Sequence, residues 1–324
     1  MERKTREAGT PLMRRDITYI QGVQMEEAVE IVRHCFFTDD EMELKERIIR
    51  NPEEFGNVYQ DWIRFWNFER CIEEMHANTG CDLFYYYGRC AVCNSPQPLI
   101  MDYRWAEEIE DRKKLNWRER LMCPNCKCNS RQRFMIHKVF EGYEPGKKIL
   151  MYEQKSDVFQ LIQREIPDAI GFEYLGDTYK EKAYGEIRCE DICNLDFPDE
   201  TFDLIVSNDV FEHVIDYEKA FGEAFRVLKP GGKMIFTVPF DGNSKETKKK
   251  AVQGEQGIIA TEEEWYHSNP ILGLPPMLVC QLFGWDMTDA LKQAGFSDAY
   301  GKVYYGLKDG YLGYLPMYFE ALKD

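Results

Sequence analysis

The chain lacks any run of eighteen or more apolar residues among its 324, which leaves no segment able to cross a bilayer as a helix. Its N-terminus, MERKTREAGTPLMRRD, has no apolar signal core. Basic residues are scarce beside acidic ones: 41 Lys and Arg face 57 Asp and Glu, a formal charge of -16. That balance argues against nucleic acid as the main partner, since phosphate backbones need clustered cations. No internal repeat is visible. What is present, 44% hydrophobic and 14% aromatic residues, is the composition of a folded chain. These features predict a cytoplasmic protein without a membrane segment. Its eleven cysteines are then expected as reduced thiols, some of them at a metal.

The most structured stretch is FDLIVSNDVFEHVIDYEKAFGEAFRVLKPGGKMIFTVPF, residues 202–240. Leu204-Ile205-Val206 is a short β-branched run closed by Ser207-Asn208-Asp209, the pattern of a strand buried on both faces. Tyr217, Ala220, Phe221, Ala224 and Leu228 then recur at helical spacing behind Asp216, a good N-cap. Lys229-Pro230-Gly231-Gly232 stops that helix, and Met234 to Val238 is a second apolar run. Strand, helix, tight turn and strand form the building block of a parallel sheet. Ligands of such sheets sit beyond the carboxyl ends of the strands, and Ser207 to His213 lies at one of them.

Upstream, Cys90-x-x-Cys93 and Cys123-x-x-Cys126 are separated by 29 residues. Two such pairs predict a zinc ribbon whose four thiolates close a tetrahedral, structural Zn²⁺ site. Cys128 is an alternative fourth ligand, disfavoured by its spacing. A short helix is expected between Trp105 and Arg120. Arg131 and Arg133 read as a solvated first turn, with an anion-binding role as the alternative.

Residues 1–22 read as a frayed arm, and the pattern from Gln24 to Ala77 reads as helical throughout, Ile48-Ile49 included. Asn51-Pro52 is placed to start one of these helices. After Pro145-Gly146, strands are expected at 149–153, 169–174 and 186–190, with a helix at 158–164. A mobile insertion is expected at 241–256 and a lid at 265–283. A helix at 285–294 and strands at 303–307 and 317–322 complete a seven-strand count. The layout reads as a helical region over 1–88, a zinc-binding module over 89–140 and an α/β domain over 141–324.

Each early strand ends in an acid: Glu153, Glu173 and Asp191, with Asn208-Asp209 after the fourth. Each alone reads as a loop cap, whereas together they suit a ligand with a ribose diol, an exocyclic amine and an ammonium group. Glu173 is placed to take ribose hydroxyls, and Asp191 an adenine amine with Ile192 packed on the ring. Glu212 and His213, just past the fourth strand, are candidates for removing a proton near neutrality. A helix-start role bonded to backbone is the equal alternative for His213. Tyr266-His267 reads as a substrate contact.

Residues 147–324 resemble a class I S-adenosylmethionine-dependent methyltransferase, through FDLIVSNDVFEHV, RVLKPGGKMIFTVPF, EDICNLDFPDETFD and FGWDMTDALKQAGF. Within that superfamily the chain is most similar to a branch in which CxxC pairs and a Ser-Arg-x-Arg step precede the catalytic domain. The resemblance implies a Rossmann-like seven-stranded sheet and S-adenosylmethionine as cofactor. It maps ribose binding onto Glu173, adenine binding onto Asp191 with Ile192, and the methionine end onto Asn208 and Asp209; Glu153, Gln154, Ser156 and Tyr174 complete the expected cofactor-binding set. One departure is plain: the family's first motif is glycine-rich, and here it is Met151-Tyr152-Glu153-Gln154-Lys155-Ser156. Backbone amides at the helix start, with Lys155 and Ser156, can still hold a carboxylate. The expected activity is methyl transfer to O or N of a small-molecule or sugar-like acceptor. A protein or RNA methyltransferase that grips its substrate with the zinc module, and a non-catalytic adaptor, are the alternatives.

Overall fold

In the computed structural model, residues 24–109, 112–176, 183–255, 257–269 and 274–324 are described. The arm expected at 1–22 lies outside them. The chain separates into two units. One holds the described part of 1–45 with residues 58–135 and 304–316; the other holds 46–57, 136–303 and 317–324.

Helix α1 (Met25–Phe36) is followed by strand β1 (Lys45–Ile49) and helices α2 (Pro52–Asp61) and α3 (Ile63–Ala77). The helical expectation is wrong at Ile48-Ile49, which belong to the strand. Only Ile49 of β1 is buried, and one inward apolar residue gives neither a two-residue nor a helical period to read. Asn51 does start α2: its Oδ1 accepts from Glu54 N at 2.9 Å, and Glu54 answers with a bond from Arg50 N at 2.9 Å. The first bond is an N-cap, and the second ties the residue before the cap to the same first turn.

A hairpin, Leu83–Cys90 against Ser95–Asp102, carries the first cysteine pair. The segment expected to be a short helix between 105 and 120 is instead a second hairpin, Glu107–Ile109 against Arg112–Lys114. Helix α4 (Ser130–Gly142) follows the second cysteine pair.

The α/β sheet then builds from β2 (Ile149–Met151), α5 (Asp157–Glu165), β3 (Ile170–Gly171), β4 (Phe202–Asn208), α6 (Tyr217–Val227), β5 (Leu228–Thr237), α7 (Asp286–Gln293), β6 (Asp298–Tyr305) and β7 (Met317–Leu322). The strand order is β1-β6-β7-β5-β4-β2-β3. β2, β3, β4 and β5 run parallel, and β7 pairs antiparallel with β5 and β6. This is a Rossmann-like α/β sheet of seven strands, as expected, but with a different membership. Residues 186–190 do not enter it; Ile187–Arg188 pairs with Ala183–Tyr184 in a separate hairpin. The seventh strand is β1.

Asp216 and Ser156 cap α6 and α5 as N-caps, accepting from Lys219 N and Phe159 N. The apolar faces of α6 and α7 (Ala220, Phe221, Ala224, Met287, Leu291) pack with Leu150, Ile205, Phe236 and Phe319 of the sheet in one core. The insertion expected to be mobile is tied down: Lys248–Lys249 pairs with Gln281–Leu282, and Thr247 N donates to the Asp286 carboxylate at 2.9 Å. Its lysines read as solvated sequence, while its one acidic anchor lies 39 residues away.

Candidate functional site

Four sulfurs converge in the first unit. Cys90 and Cys93 flank the hairpin turn, and Cys123 and Cys126 form the second knuckle. Residues in the left-handed region, Asn94 (φ 50°) and Lys127 (φ 63°), follow each pair directly and fold both knuckles alike. Ile100 and Met122 exchange two backbone hydrogen bonds of 2.9 Å, which fixes the second knuckle against the hairpin. The Cys90–Cys126 and Cys93–Cys123 sulfur separations are both 3.7 Å. Thiolates about 2.3 Å from a tetrahedral ion stand about 3.8 Å apart, so this spacing is that of a metal site. Cys93 N points at Cys90 Sγ (3.4 Å) and Asn125 Nδ2 at Cys93 Sγ (3.2 Å), donors that a thiolate accepts. Cys128 stays outside the group, its Sγ 3.6 Å from the Cys126 carbonyl.

Arg131 and Arg133 are neither solvated nor anion-binding. Arg133 is fully buried and donates to the carbonyls of Asp309 (2.6 Å), Gly310 (3.1 Å) and Leu121 (3.4 Å). Arg131 is nearly buried and pairs with Glu119 (2.8 Å). Two of the Arg133 carbonyl partners come from a segment some 176 residues later, which no local pattern foretells.

The second unit carries the acidic edge. Met151, Gly171 and Val206 are register partners across β2, β3 and β4. Two residues beyond that level stand Glu153, Glu173 and Asn208, three of the four expected strand ends; Asp191 is not among them, because residues 186–190 form no strand of this sheet. Glu173 bridges to Cys189, which leaves Asp191 two residues further out. Asn208 Nδ2 donates to Glu153 Oε1, whereas Asn208 Oδ1 is buried without a hydrogen bond. Glu173 Oε1 accepts from the amides of Gln154 (2.8 Å) and Lys155 (2.7 Å). Burial raises the Glu173 carboxyl above its ordinary pKa, and those two amides oppose the rise.

Gly171 explains how a turn without glycine can close here. A Cβ on Gly171 would stand 2.6 Å from the Glu153 carbonyl and 2.6 Å from the Phe159 ring. The room that a first-motif glycine would provide comes from the neighbouring strand. Its place at the end of an apolar run, Ala-Ile-Gly-Phe, was the available signal.

Other nominated residues are placed as follows. Gln154 is tied to the next hairpin through Nε2 to Glu186 O and Oε1 from Arg188 N, both 2.8 Å. Ser156 Oγ is occupied by its cap bond of 3.0 Å. Tyr174 is 56% exposed, and Ile192 is buried in the main core. Asp191 Oδ1 accepts from Cys193 N (2.8 Å). Asp209 adopts φ 52° just past β4, with its amide on Thr237 O (3.0 Å).

Beyond it, a 3-10 turn at Phe211–His213 sets Glu212 fully inside the protein. Neither Glu212 carboxylate oxygen accepts a hydrogen bond. Burial pushes this carboxyl up to about 7, with the Asp209 charge adding to it and His267 opposing. Burial pulls the His213 imidazole down to about 4, despite its bond of 2.7 Å to the Leu278 carbonyl. His213 is therefore neutral near pH 7, with Nδ1–H on Leu278 and the lone pair on Nε2. His267 comes to the same place on a short hairpin, Tyr266–His267 against Met277–Leu278. Sequence reasoning singled out His267 without linking it to Glu212; the 54 residues between the two histidines hid the pairing.

Acceptors dominate this edge: two carboxylates, an orphaned amide oxygen and a second buried carboxylate. That set suits a ligand rich in donors, such as a ribose and an ammonium group, and so fits the expected cofactor.

Residues 172–236 match the sequence family described as a methyltransferase domain. Sterol 24-C-methyltransferase of Eremothecium gossypii is 36% identical over 72 residues, 21% of this chain and 19% of that one. An Encephalitozoon cuniculi protein, provisionally assigned as a methyltransferase, is 33% identical over 126 residues, 34% of this chain and 59% of its own. The chain thus spans about a fifth of the first relative and three fifths of the second. A SAM-dependent methyltransferase structure from Thermotoga maritima aligns at 15% identity over 59% of this chain and 88% of that one, with a TM-score of 0.35. The matched stretch runs from β3's edge through β4, α6 and most of β5, and carries Glu173, Asn208 and Glu212.

Proposed function

We propose that the chain is a cytoplasmic S-adenosylmethionine-dependent methyltransferase acting on an O or N of a small-molecule or sugar-like acceptor. The observation that carries this reading is the coincidence of the matched segment with an acceptor-lined edge at the carboxyl ends of parallel strands. Glu153, Asn208 and Glu173 are the residues we assign to the ammonium and ribose groups. Asp191 and the exposed Tyr174 are assigned to the adenine side. Gln154 and Ser156 act through the turn they hold, and Ile192 from the core beneath Asp191.

When bound, the cofactor supplies a methyl group on a sulfonium, a leaving group that needs little further activation. The chain's own work is then to position the acceptor and receive its proton. We assign that task to Glu212 and His213, both shielded from water: the ionised Glu212 carboxylate and the Nε2 lone pair of neutral His213 are the groups able to take the proton. Shielding also keeps the acceptor dry.

The cysteine group we assign to one structural Zn²⁺ within a module at 89–140 that precedes the domain at 141–324. The ion-like sulfur spacing supports it. A macromolecular acceptor would have been favoured by a basic face at Arg131 and Arg133, and both side chains are spent inside the protein. Calorimetry with S-adenosylmethionine and its demethylated product tests the enzyme reading. Binding of either supports it; no heat with both at high concentration returns the chain to the adaptor reading.

A further inference from the structure

A buried carboxylate with no hydrogen bond is an expensive arrangement unless something else satisfies it. Glu212 is such a group, and two imidazoles face it. His267 Nδ1 lies 3.3 Å from Glu212 Oε1, His213 Nε2 lies 3.7 Å from it, and the two nitrogens are 3.2 Å apart. All three atoms are ligand atoms, close enough to share one ion.

The triangle has the dimensions of a coordination face. Donors about 2.1 Å from a tetrahedral ion stand about 3.4 Å from one another, against the 3.2, 3.3 and 3.7 Å found here. His213 is also oriented as a ligand: its Nδ1 is held by the Leu278 carbonyl at 2.7 Å, which leaves Nε2 directed at the cluster. A histidine that binds metal through one nitrogen and backbone through the other follows a recurrent arrangement. The backbone around it is pinned, because Cys280 N donates to Glu212 O at 2.7 Å and Val279 N to Trp265 O at 2.8 Å.

We propose that Glu212, His213 and His267 hold one divalent transition-metal cation, with a coordination position left for water or an acceptor oxygen. Two imidazoles and one carboxylate select such ions, zinc among them, over magnesium or calcium. This site is separate from the four cysteines and differs in kind, since three ligands leave it open. Its use in catalysis rests on the methyltransferase reading: with the ion bound, Glu212 and His213 serve as its ligands and no longer take the proton themselves, and an acceptor hydroxyl at the open position would lose its proton to water more readily. Metal binding itself does not depend on that reading.

The test is elemental analysis of the full chain, equilibrated with micromolar Zn²⁺ and freed of unbound ion by gel filtration. Wild type is expected to retain one more zinc per chain than Glu212→Gln and one more than His267→Ala. Glu212 is buried and its variant risks misfolding, whereas His267 sits on a partly exposed hairpin, so the second variant keeps the count interpretable. Substituting Co²⁺ adds a second readout, a weak nitrogen–oxygen ligand-field spectrum that vanishes in both variants while the thiolate charge-transfer band stays. Equal metal content in wild type and both variants, with no spectral difference, overturns the site and leaves a proton-sharing cluster. A failed cysteine site lowers all counts together, and a failed methyltransferase reading changes none of them.

Discussion

Two of the buried glutamates, Glu69 in the first unit and Glu212 in the second, differ in what meets them. Glu69, on α3, accepts from Tyr305 Oη and Gly313 N, both at 2.7 Å on one oxygen. Glu212 accepts nothing. Burial raises both carboxyls, to about 8 and about 7, so the pKa alone does not tell them apart. The partners do. An acid whose donors come from its own chain belongs to the architecture, and an acid left bare by its own chain awaits a ligand. The same contrast separates the four cysteines, whose four sulfurs converge as a set, from the three-membered group at Glu212, which would leave a coordination position open.

The largest effect expected from breaking this contrast is at the closed site. If Cys90, Cys93, Cys123 and Cys126 hold the proposed Zn²⁺, removing it withdraws binding energy of order 10 kcal/mol. Hydrogen exchange after chelation should show residues 85–135 losing protection first, with β4 and β5 retained. Unchanged protection there, with Cys123 and Cys126 freely alkylated in the untreated protein, would remove the metal from the account.

Glu69 offers the next test, through pH. Its folded pKa of about 8 lies above the ordinary 4.5, so between those values the folded state holds a proton that the unfolded state has lost. Stability is then greatest below about pH 4.5 and falls as pH rises toward 8, by about 3–5 kcal/mol. Glu69→Gln should flatten this part of the curve, because an amide keeps an oxygen for Tyr305 and Gly313 and has no charge to acquire. Urea unfolding at pH 5 and pH 8.5 measures it. Parallel losses in wild type and variant would show that the carboxylate is stabilised by something other than those two donors.

At the open site, His213→Asn should lower turnover by about 10²–10⁴-fold with cofactor affinity nearly constant. Single-turnover rates and calorimetry on the same preparation separate the two quantities. If affinity falls as far as turnover, His213 shapes the fold as Glu69 does, and the contrast between the two regions fails at its centre.

Legibility in the sequence followed the range of the interactions. The β4–α6–β5 unit, its Asp216 cap, the four cysteines and the acidic row at Glu153, Glu173 and Asn208 were all visible, because a short segment determines each. β1 was not, since an edge strand with one buried residue carries no period. The hairpin at 107–114 was mistaken for a helix because polar residues mark either element equally well. Arg131 and Arg133 were misjudged since charge implies solvent until the partners are known, Glu119 for Arg131 and the distant carbonyls of Asp309 and Gly310 for Arg133. The same limit hid the partnership of His267 with Glu212, although both residues had been noticed separately.

Glu173 is the residue on which the contrast is least settled by position and best settled by mutation. It stands in the strand-end row, yet one of its oxygens already serves the amides of Gln154 and Lys155. It shares features with both Glu69 and Glu212. Glu173→Ala removes any hydrogen bonds to ribose together with the turn's anchor, and should weaken S-adenosylmethionine binding by about 1–3 kcal/mol. Glu173→Gln divides the two roles. The amide oxygen can still receive the two backbone N–H groups, so the turn stays closed, while the second position becomes a donor and loses the charge. A ribose-binding Glu173 therefore predicts that both variants lose affinity by calorimetry while only the alanine variant loses thermal stability. If glutamine binds as tightly as wild type and alanine weakens binding only in proportion to its lost stability, Glu173 is a second Glu69, spent on its own backbone. The ribose must then be held by another residue of the edge.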